Sequence, residues 1–325
     1  MIDLTFVEAL RQALKEEMER DDKVFLIGED IGSYGGVFKV SKGLLEEFGE
    51  KRVIDTPLSE SAIAGACVGA ALIGMRPVGE IMFADEITIA MDQIVNNAAK
   101  ARYLYNGAKS VPLVIRTSHG AGVGLGTHHS QSLEAWFTHI PGLVVVIPST
   151  PADAKGLLKS SIRSDNPVIF FEHKMLYFVK GPVPEGEYLV PLGKADIKRK
   201  GEDVTVVATG AMVQKVLKVA ENLDEEEISI EVIDPRTLLP LDKLTILESL
   251  KKTGKLIIVE ESCKTGNFGG EVAAIVAEEA FDCLKAPIRR VAAPEVPIPA
   301  NRFLESLFIP DEKKIIDTVH DVLSY

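Results

Sequence analysis

The stretch DTPLSESAIAGACVGAALIG, Asp55 to Gly74, decides how the rest of the chain is read. A buried strand ends at Pro57, Ser59 stands where an N-cap is needed, and a helix of very small residues begins at Glu60. Gly65 and Gly69 share one side of that helix with Ala62, Ala66 and Ala70. That side is nearly smooth, so a second backbone or a ligand can approach closely. The plain reading is a tightly packed core helix in which Glu60 only complements the positive N-terminal end. The sharper one puts chemistry on Glu60, at the head of a helix shaped to be covered.

Working outward, apolar runs alternate with helical patterns. Val24–Gly28, Val53–Thr56, Val78–Phe83, Val111–Thr117, Val144–Pro148 and Val168–Glu172 read as strands, with helices over Ala90–Tyr103 and Asp153–Arg163. Near-continuous Val/Ile runs separated by helices indicate a parallel sheet covered on both faces. A Pro- and Gly-rich stretch follows Gly181, and then the rhythm restarts. Asp203–Thr209, Ile228–Ile233, Lys255–Glu260 and Ile288–Val291 read as strands; Ala211–Leu223, Leu241–Lys251, Gly270–Leu284 and Asp311–Leu323 read as helices. The expected architecture is α/β with two domains, each a mostly parallel sheet flanked by helices. The first covers 1–185, a linker covers 186–202, and the second covers 203–325.

Composition narrows the function classes. The 325 residues carry 48 acidic and 36 basic side chains, for a formal charge of −12. A chain this acidic lacks the footprint needed to hold a nucleic-acid backbone or an anionic membrane. No apolar helical run approaches the roughly 20 residues that a bilayer requires. The N-terminus reads as an amphipathic helix and not as a signal peptide. Cys67, Cys263 and Cys283 are few, odd in number and far apart, which fits a reducing, cytoplasmic setting better than a disulfide framework or a zinc site.

Glu60, Gly65 and Gly69 stand at the spacing of one half of the thiamine diphosphate motif. The wider chain resembles the β subunit of the decarboxylating component of 2-oxo acid dehydrogenase complexes, a transketolase-like family. The likeness runs through GEDIGSYGGVFKVSKGLLEEFG (Gly28–Gly49), AMDQIVNNAAKARY (Ala90–Tyr103), HSQSLEAWFTHIPGL (His129–Leu143), PSTPADAKGLL (Pro148–Leu158), DPRTLLPLD (Asp234–Asp242) and RVAAPEVPIP (Arg290–Pro299). It implies a pyrimidine-binding domain followed by a transketolase C-terminal-like domain. It also implies that Glu60 hydrogen-bonds the aminopyrimidine ring of the cofactor. A carboxyl group there favours the imino tautomer that removes the thiazolium proton, and burial helps a carboxyl hold a shared proton.

Other site residues follow from the same likeness. The HSQ string places the proton-handling histidine at His129, since imidazoles titrate near neutrality. Its neighbour His128 reads as loop structure, and His139, His173 and His320 lack catalytic context. Leu58 and Phe83 are expected to shape the cofactor pocket. In many relatives an aromatic side chain packs against the aminopyrimidine where this chain has Glu86. A glutamate cannot supply that packing, so either Phe83 takes it over or the acceptor pocket differs. Asp165 and Asn166 mark the segment whose relatives bind potassium, or else an ordinary helix-end turn. In the second domain, Arg236 and Asp242 of PRTLLPLD read as a pair.

The GDG…NN half of the motif, which binds magnesium and diphosphate, is absent. Gly120-Ala-Gly-Val-Gly-Leu-Gly126 is not a phosphate cradle by pattern and reads as a mobile loop lining a site. The resemblance therefore implies an α subunit that carries magnesium, an α₂β₂ heterotetramer, and docking on a lipoyl acyltransferase core. The substrate is pyruvate, a branched-chain 2-oxo acid or acetoin, with the His129 and Glu80–Gln93 segments closest to the acetoin branch. Two other classes compete. An NAD-type oxidoreductase predicts a GxGxxG turn after an early strand and an acidic residue about twenty positions later, a pattern that EDIGSYGG after Val24–Gly28 fails. A non-catalytic scaffold predicts that the Gly65/Gly69 helix serves association alone.

Overall fold

A computed structural model describes Met1–Tyr325. The Val/Ile runs do pair as strands. From one edge, the larger sheet is ordered Thr237–Leu239, Val144–Val146, Val168–His173, Val114–His119, Arg76–Phe83, Val24–Glu29 and Val53–Thr56. Every neighbouring pair is parallel except the first. The second sheet is ordered Arg289–Ala293, Leu256–Cys263, Val204–Ala208, Ile230–Asp234 and Asp196–Arg199, parallel up to its last strand. Central strands such as Val168–His173 and Val204–Ala208 are buried along their whole length, as expected with helices on both faces.

Two strands depart from the expected partition. Asp196–Arg199, inside the expected linker, pairs antiparallel with Ile230–Asp234 and closes the second sheet. Thr237–Leu239, beyond that linker, crosses back to pair with Val144–Val146 of the first sheet. Arg236, at its head, does not pair with Asp242. Its Nη1 donates to Asp153 Oδ1 at 3.0 Å, while Asp242 Oδ2 accepts from Ala195 N and Thr245 Oγ1.

Charge pairing joins two helices of the first domain. Phe6–Arg20 starts in a Thr5/Glu8 capping box and packs on Pro151–Arg163. Lys155, Lys159 and Arg163 follow one face of the second helix at four-residue spacing. Their side chains meet Glu16 at 2.6 and 2.7 Å and Glu17 at 2.6 Å.

The Glu60–Leu72 helix begins where the sequence places it, although Ser59 makes no capping hydrogen bond. Ile63, Ala64, Cys67, Val68 and Ala71 pack on the sheet, and burial pushes the Cys67 thiol up to about 12. A Cβ on Gly79 of the neighbouring strand would stand 2.8 Å from Cys67 Sγ, so that glycine permits the close seat. Ala62, Ala66 and Gly69 are exposed on the opposite face, and nothing approaches within 4 Å of a Cβ built at Gly69.

The helix expected over Ala90–Tyr103 is not uniform. It consists of a 3₁₀ turn at Glu86–Ala90, a π-helical segment at Asp92–Ala98 and an α-helix at Ala99–Leu104. Asn96 and Asn97 donate to Asp92, helping to hold the wider turn. Such insertions concentrate at functional sites.

Candidate active site

In an open parallel sheet, ligands bind beyond the carboxyl ends of the strands, where the chain order reverses. Here the chain leaves Val24–Glu29 for the edge strand Val53–Thr56, then crosses to Arg76–Phe83 on the other side. That reversal gathers acidic and aromatic groups from separate elements. Glu29 ends the first of these strands, and Glu60 opens the helix after the second. Phe83 ends the third, followed at once by Asp85 and Glu86. No helix follows Val24–Glu29 until Leu44–Phe48, so the turn-to-helix geometry of an NAD-binding first strand is missing.

Geometry joins these residues to His129. Its Nδ1 lies 3.5 Å from Glu86 Oε1, and its ring sits 4.5 Å from the Phe83 ring, tilted by 45°. Asp85 Oδ1 accepts from the Gln131 backbone N–H and from Nε2, at 3.2 and 2.7 Å, and so fixes the segment that carries His129. Lys174 Nζ lies 5.5 Å above Phe83. It is buried without a hydrogen-bond partner, and burial lowers its pKa to about 8.

The carboxyls act on one another. Burial, then the charges of Glu60, Asp85 and Glu29, push Glu86 up to about 7. Glu29 is likewise raised by burial and by Asp30 and Glu60. Carboxyls crowded together without full compensation retain protons that isolated ones would lose. The cluster can therefore hold a proton near neutrality beside an imidazole and an aromatic face, which is the equipment of acid–base chemistry.

The glycine loop, expected to be mobile, is tied to two acids by three hydrogen bonds. Gly120, Gly122, Gly124 and Gly126 all have positive φ, so the backbone winds with its amides turned to one side. Ala121 N–H donates to Glu261 Oε1 at 2.6 Å, while Gly122 and Gly124 N–H donate to the two oxygens of Glu305 at 2.9 and 2.8 Å. Both acids belong to the second domain. The loop does bind an anion, but the anion is the chain's own carboxylate.

Glu60, Phe83, Glu86 and His129 share one region. Leu58 lies just before Glu60 and is 72% exposed, so it reaches outward from this chain. Asp165 and Asn166 are elsewhere, at the amino-terminal edge of the sheet just before Val168–His173. Asp165 Oδ1 pairs with Arg76 at 2.6 Å, and Asn166 Oδ1 accepts from Arg102 at 2.9 Å.

Sequence reasoning missed a buried cluster at the domain junction. His119 and His173 end adjacent strands in register, with rings 5.0 Å apart. Far from idle, His173 Nδ1 accepts from Met175 N and its Nε2 faces Glu261 Oε2 at 2.8 Å. The nearby Glu134 is pushed up to about 8, chiefly by burial. The available signal was that the segments VIRTSH and VIFFEH both end in histidine, just past the expected strand ends at Thr117 and Glu172.

Comparison with known proteins agrees with this layout. Residues 3–180 match the family model "Transketolase, pyrimidine binding domain", and residues 193–315 match "Transketolase, C-terminal domain". The chain is 48% identical over 324 residues to the 2-oxoisovalerate dehydrogenase subunit beta of Bacillus subtilis, covering 99% of each. It is 48% identical to the acetoin:2,6-dichlorophenolindophenol oxidoreductase subunit beta of Cupriavidus necator, covering 94% of each. It is 46% identical to the pyruvate dehydrogenase E1 component subunit beta of Rickettsia felis, covering 100% of this chain and 99% of that one. A solved structure titled "Split gene transketolase, inactive beta4 tetramer" superposes with a TM-score of 0.80, covering 99% of this chain and 98% of that one; at 22% identity this speaks to the fold alone.

Proposed function

Because the chain belongs to the transketolase-like β subunits of 2-oxo acid and acetoin dehydrogenase complexes, we propose that it supplies the pyrimidine half of a thiamine diphosphate site shared with an α subunit. The observation that carries this reading is the convergence of Glu60, Glu86, Phe83 and His129 at one strand-order reversal.

The residues fit the aminopyrimidine end of the cofactor. A carboxylate acceptor stands at Glu60, Phe83 offers an aromatic face, and the small residues behind Glu60 leave room beside the helix. They do not fit the diphosphate end, because the glycine loop's inward amides are taken by Glu261 and Glu305. This supports an α partner that holds the diphosphate and Mg²⁺, in an α₂β₂ assembly whose exposed Leu58 and Ala62/Ala66/Gly69 face would be covered. The Asp165 and Asn166 side chains are engaged by arginines, so K⁺ bound there would rely on main-chain carbonyls.

When bound, thiamine diphosphate supplies a carbon nucleophile and a sink for the electron pair released as the substrate's carbon–carbon bond breaks. Glu60 holds the proton shared with the pyrimidine ring nitrogen. His129 moves protons at Nε2 toward the substrate oxygen and the lipoyl sulfur. Phe83 packs against the His129 ring, and Glu86 and Glu29 keep negative charge crowded where a cationic heterocycle would relieve it. The second domain would serve assembly and docking on a basic lipoyl acyltransferase module, a reading that the chain's net acidity supports.

Identity to the 2-oxoisovalerate and acetoin relatives is equal, and to the pyruvate relative nearly so, so the substrate is decided by assay. The chain, coexpressed with its α subunit, is to be tested for dye-linked turnover of acetoin, pyruvate and 2-oxoisovalerate. Turnover should require both subunits, and Glu60→Gln should abolish most of it while leaving assembly intact. Wild-type-like turnover by Glu60→Gln, or full activity of the chain alone, would end the proposal.

A further inference from the structure

Glu86 stands in the turn that follows Phe83, beside the histidine proposed to handle protons. The Glu86 carboxylate opens the 3₁₀ turn Glu86–Ala90 and reaches to within 3.5 Å of His129 Nδ1. That nitrogen is enclosed and has no hydrogen-bond partner. A buried ring nitrogen left without one is costly, so the nearest acceptor has a structural claim on it. The Phe83 ring, 4.5 Å away, constrains the plane of the imidazole. With Nδ1 enclosed, Nε2 is the nitrogen open to the cleft.

The surrounding charges sharpen this pairing. Glu29 approaches from the first strand of the site, Glu60 from the small-residue helix and Asp85 from the same turn; all three repel negative charge on Glu86. Lys174 faces Asp85 and the second-domain acids Glu261 and Glu305 rather than Glu86. The His129 ring is therefore the hydrogen-bonding partner within reach of the Glu86 carboxylate.

We infer that Glu86 is a positioning residue for His129: its carboxylate takes the Nδ1 proton as a hydrogen-bond acceptor, which fixes the tautomer that presents Nε2 to the cleft and steadies the imidazolium form. This rests on the proton-handling role proposed for His129. The carboxyl's own raised pKa, near neutrality, would let the pair hold one proton between them over the working range.

The test uses the heterotetramer assembled with the α subunit, without cofactor, treated with diethyl pyrocarbonate across pH. Mass spectrometry of the His129 peptide gives the apparent pKa of the ring. In Glu86→Gln that pKa should fall by about one unit, as when an opposite charge within a few ångströms is lost, and Glu86→Asp should recover part of it. With cofactor restored, Glu86→Gln and Glu86→Phe should lower lipoyl-domain acylation about tenfold more than dye-linked turnover, one decade per pKa unit of lost basicity. An unchanged His129 titration in Glu86→Gln, or full lipoyl acylation by Glu86→Phe, overturns the inference. Full lipoyl acylation by His129→Asn instead overturns the role of the histidine itself, a failure that the modification profile separates from loss of the Glu86 contact.

Discussion

Replacing Glu305 with alanine should loosen the loop that leads to His129 without unfolding the domain that holds Glu305. The side chain is buried, at 1% exposure, and takes the Gly122 and Gly124 amides at 2.9 and 2.8 Å. Hydrogen bonds to a charged acceptor contribute about 1.5–3 kcal/mol each. Water can replace part of this in a half-buried loop, so the joint loss is taken as about 3 kcal/mol, equivalent to roughly a hundredfold change in local opening. Alanine is favourable in the host helix Arg302–Phe308, so the second domain should keep its stability. Hydrogen–deuterium exchange of a peptide spanning residues 120–129 reads the effect directly. Exchange should rise about a hundredfold in Glu305→Ala. It should rise roughly tenfold in Glu305→Gln, whose side-chain oxygen still serves one amide while its NH₂ confronts the other. Ala121, held by Glu261, should remain the slowest amide of the loop. If both variants exchange like the wild type, the carboxylate is not what orders the loop, and the coupling of the second domain to the site is refuted.

Further outcomes follow from burial and charge. Glu134 is raised to about 8 in the fold, so the native state keeps a proton that the unfolded chain releases near 4.5. Its contribution is therefore greatest below that lower value and is lost as pH rises toward 8. Glu134→Gln should accordingly raise the melting temperature by an amount that grows between those limits and then levels; a difference independent of pH contradicts this. Gly69 lies mid-helix with open space at its Cβ, so Gly69→Ala should stabilise the isolated chain by about 1 kcal/mol in denaturant unfolding. If the bare face is a subunit contact, Gly69→Leu should also weaken association with the α subunit in sedimentation, whereas unaltered association would place the contact elsewhere.

The strands were legible because strands buried on both faces read as near-continuous Val/Ile runs, as in Val168–Glu172 and Asp203–Thr209. Glu60 was singled out by the spacing that it shares with Gly65 and Gly69, since an acid at the head of a helix of alanines and glycines reads equally well as a simple complement to the helix end. The partners of these residues were not legible. That Glu86 meets His129, or that Glu305 reaches back to Gly122, depends on how strands are ordered and domains seated, and neither is written in local periodicity. The Ala90–Tyr103 segment misled for a related reason: its apolar spacing suits an α-helix, and only the Asp92–Asn97 contacts show the wider turn. Arg236 and Asp242 misled because nearness in sequence stood in for nearness in space.

The strand Thr237–Leu239 has a bearing on how the polypeptide survives damage. It works as a clasp: the C-terminal half lends three residues to finish the hem of the N-terminal sheet along Val144–Val146. A protease cut near residue 190 would not release two tidy modules. The N-terminal fragment would shed its trim and bare a row of unpaired amides and carbonyls along an all-valine border, an invitation to stick to its own kind. Keeping both halves on one thread is thus a safeguard against clumping as much as a convenience of assembly.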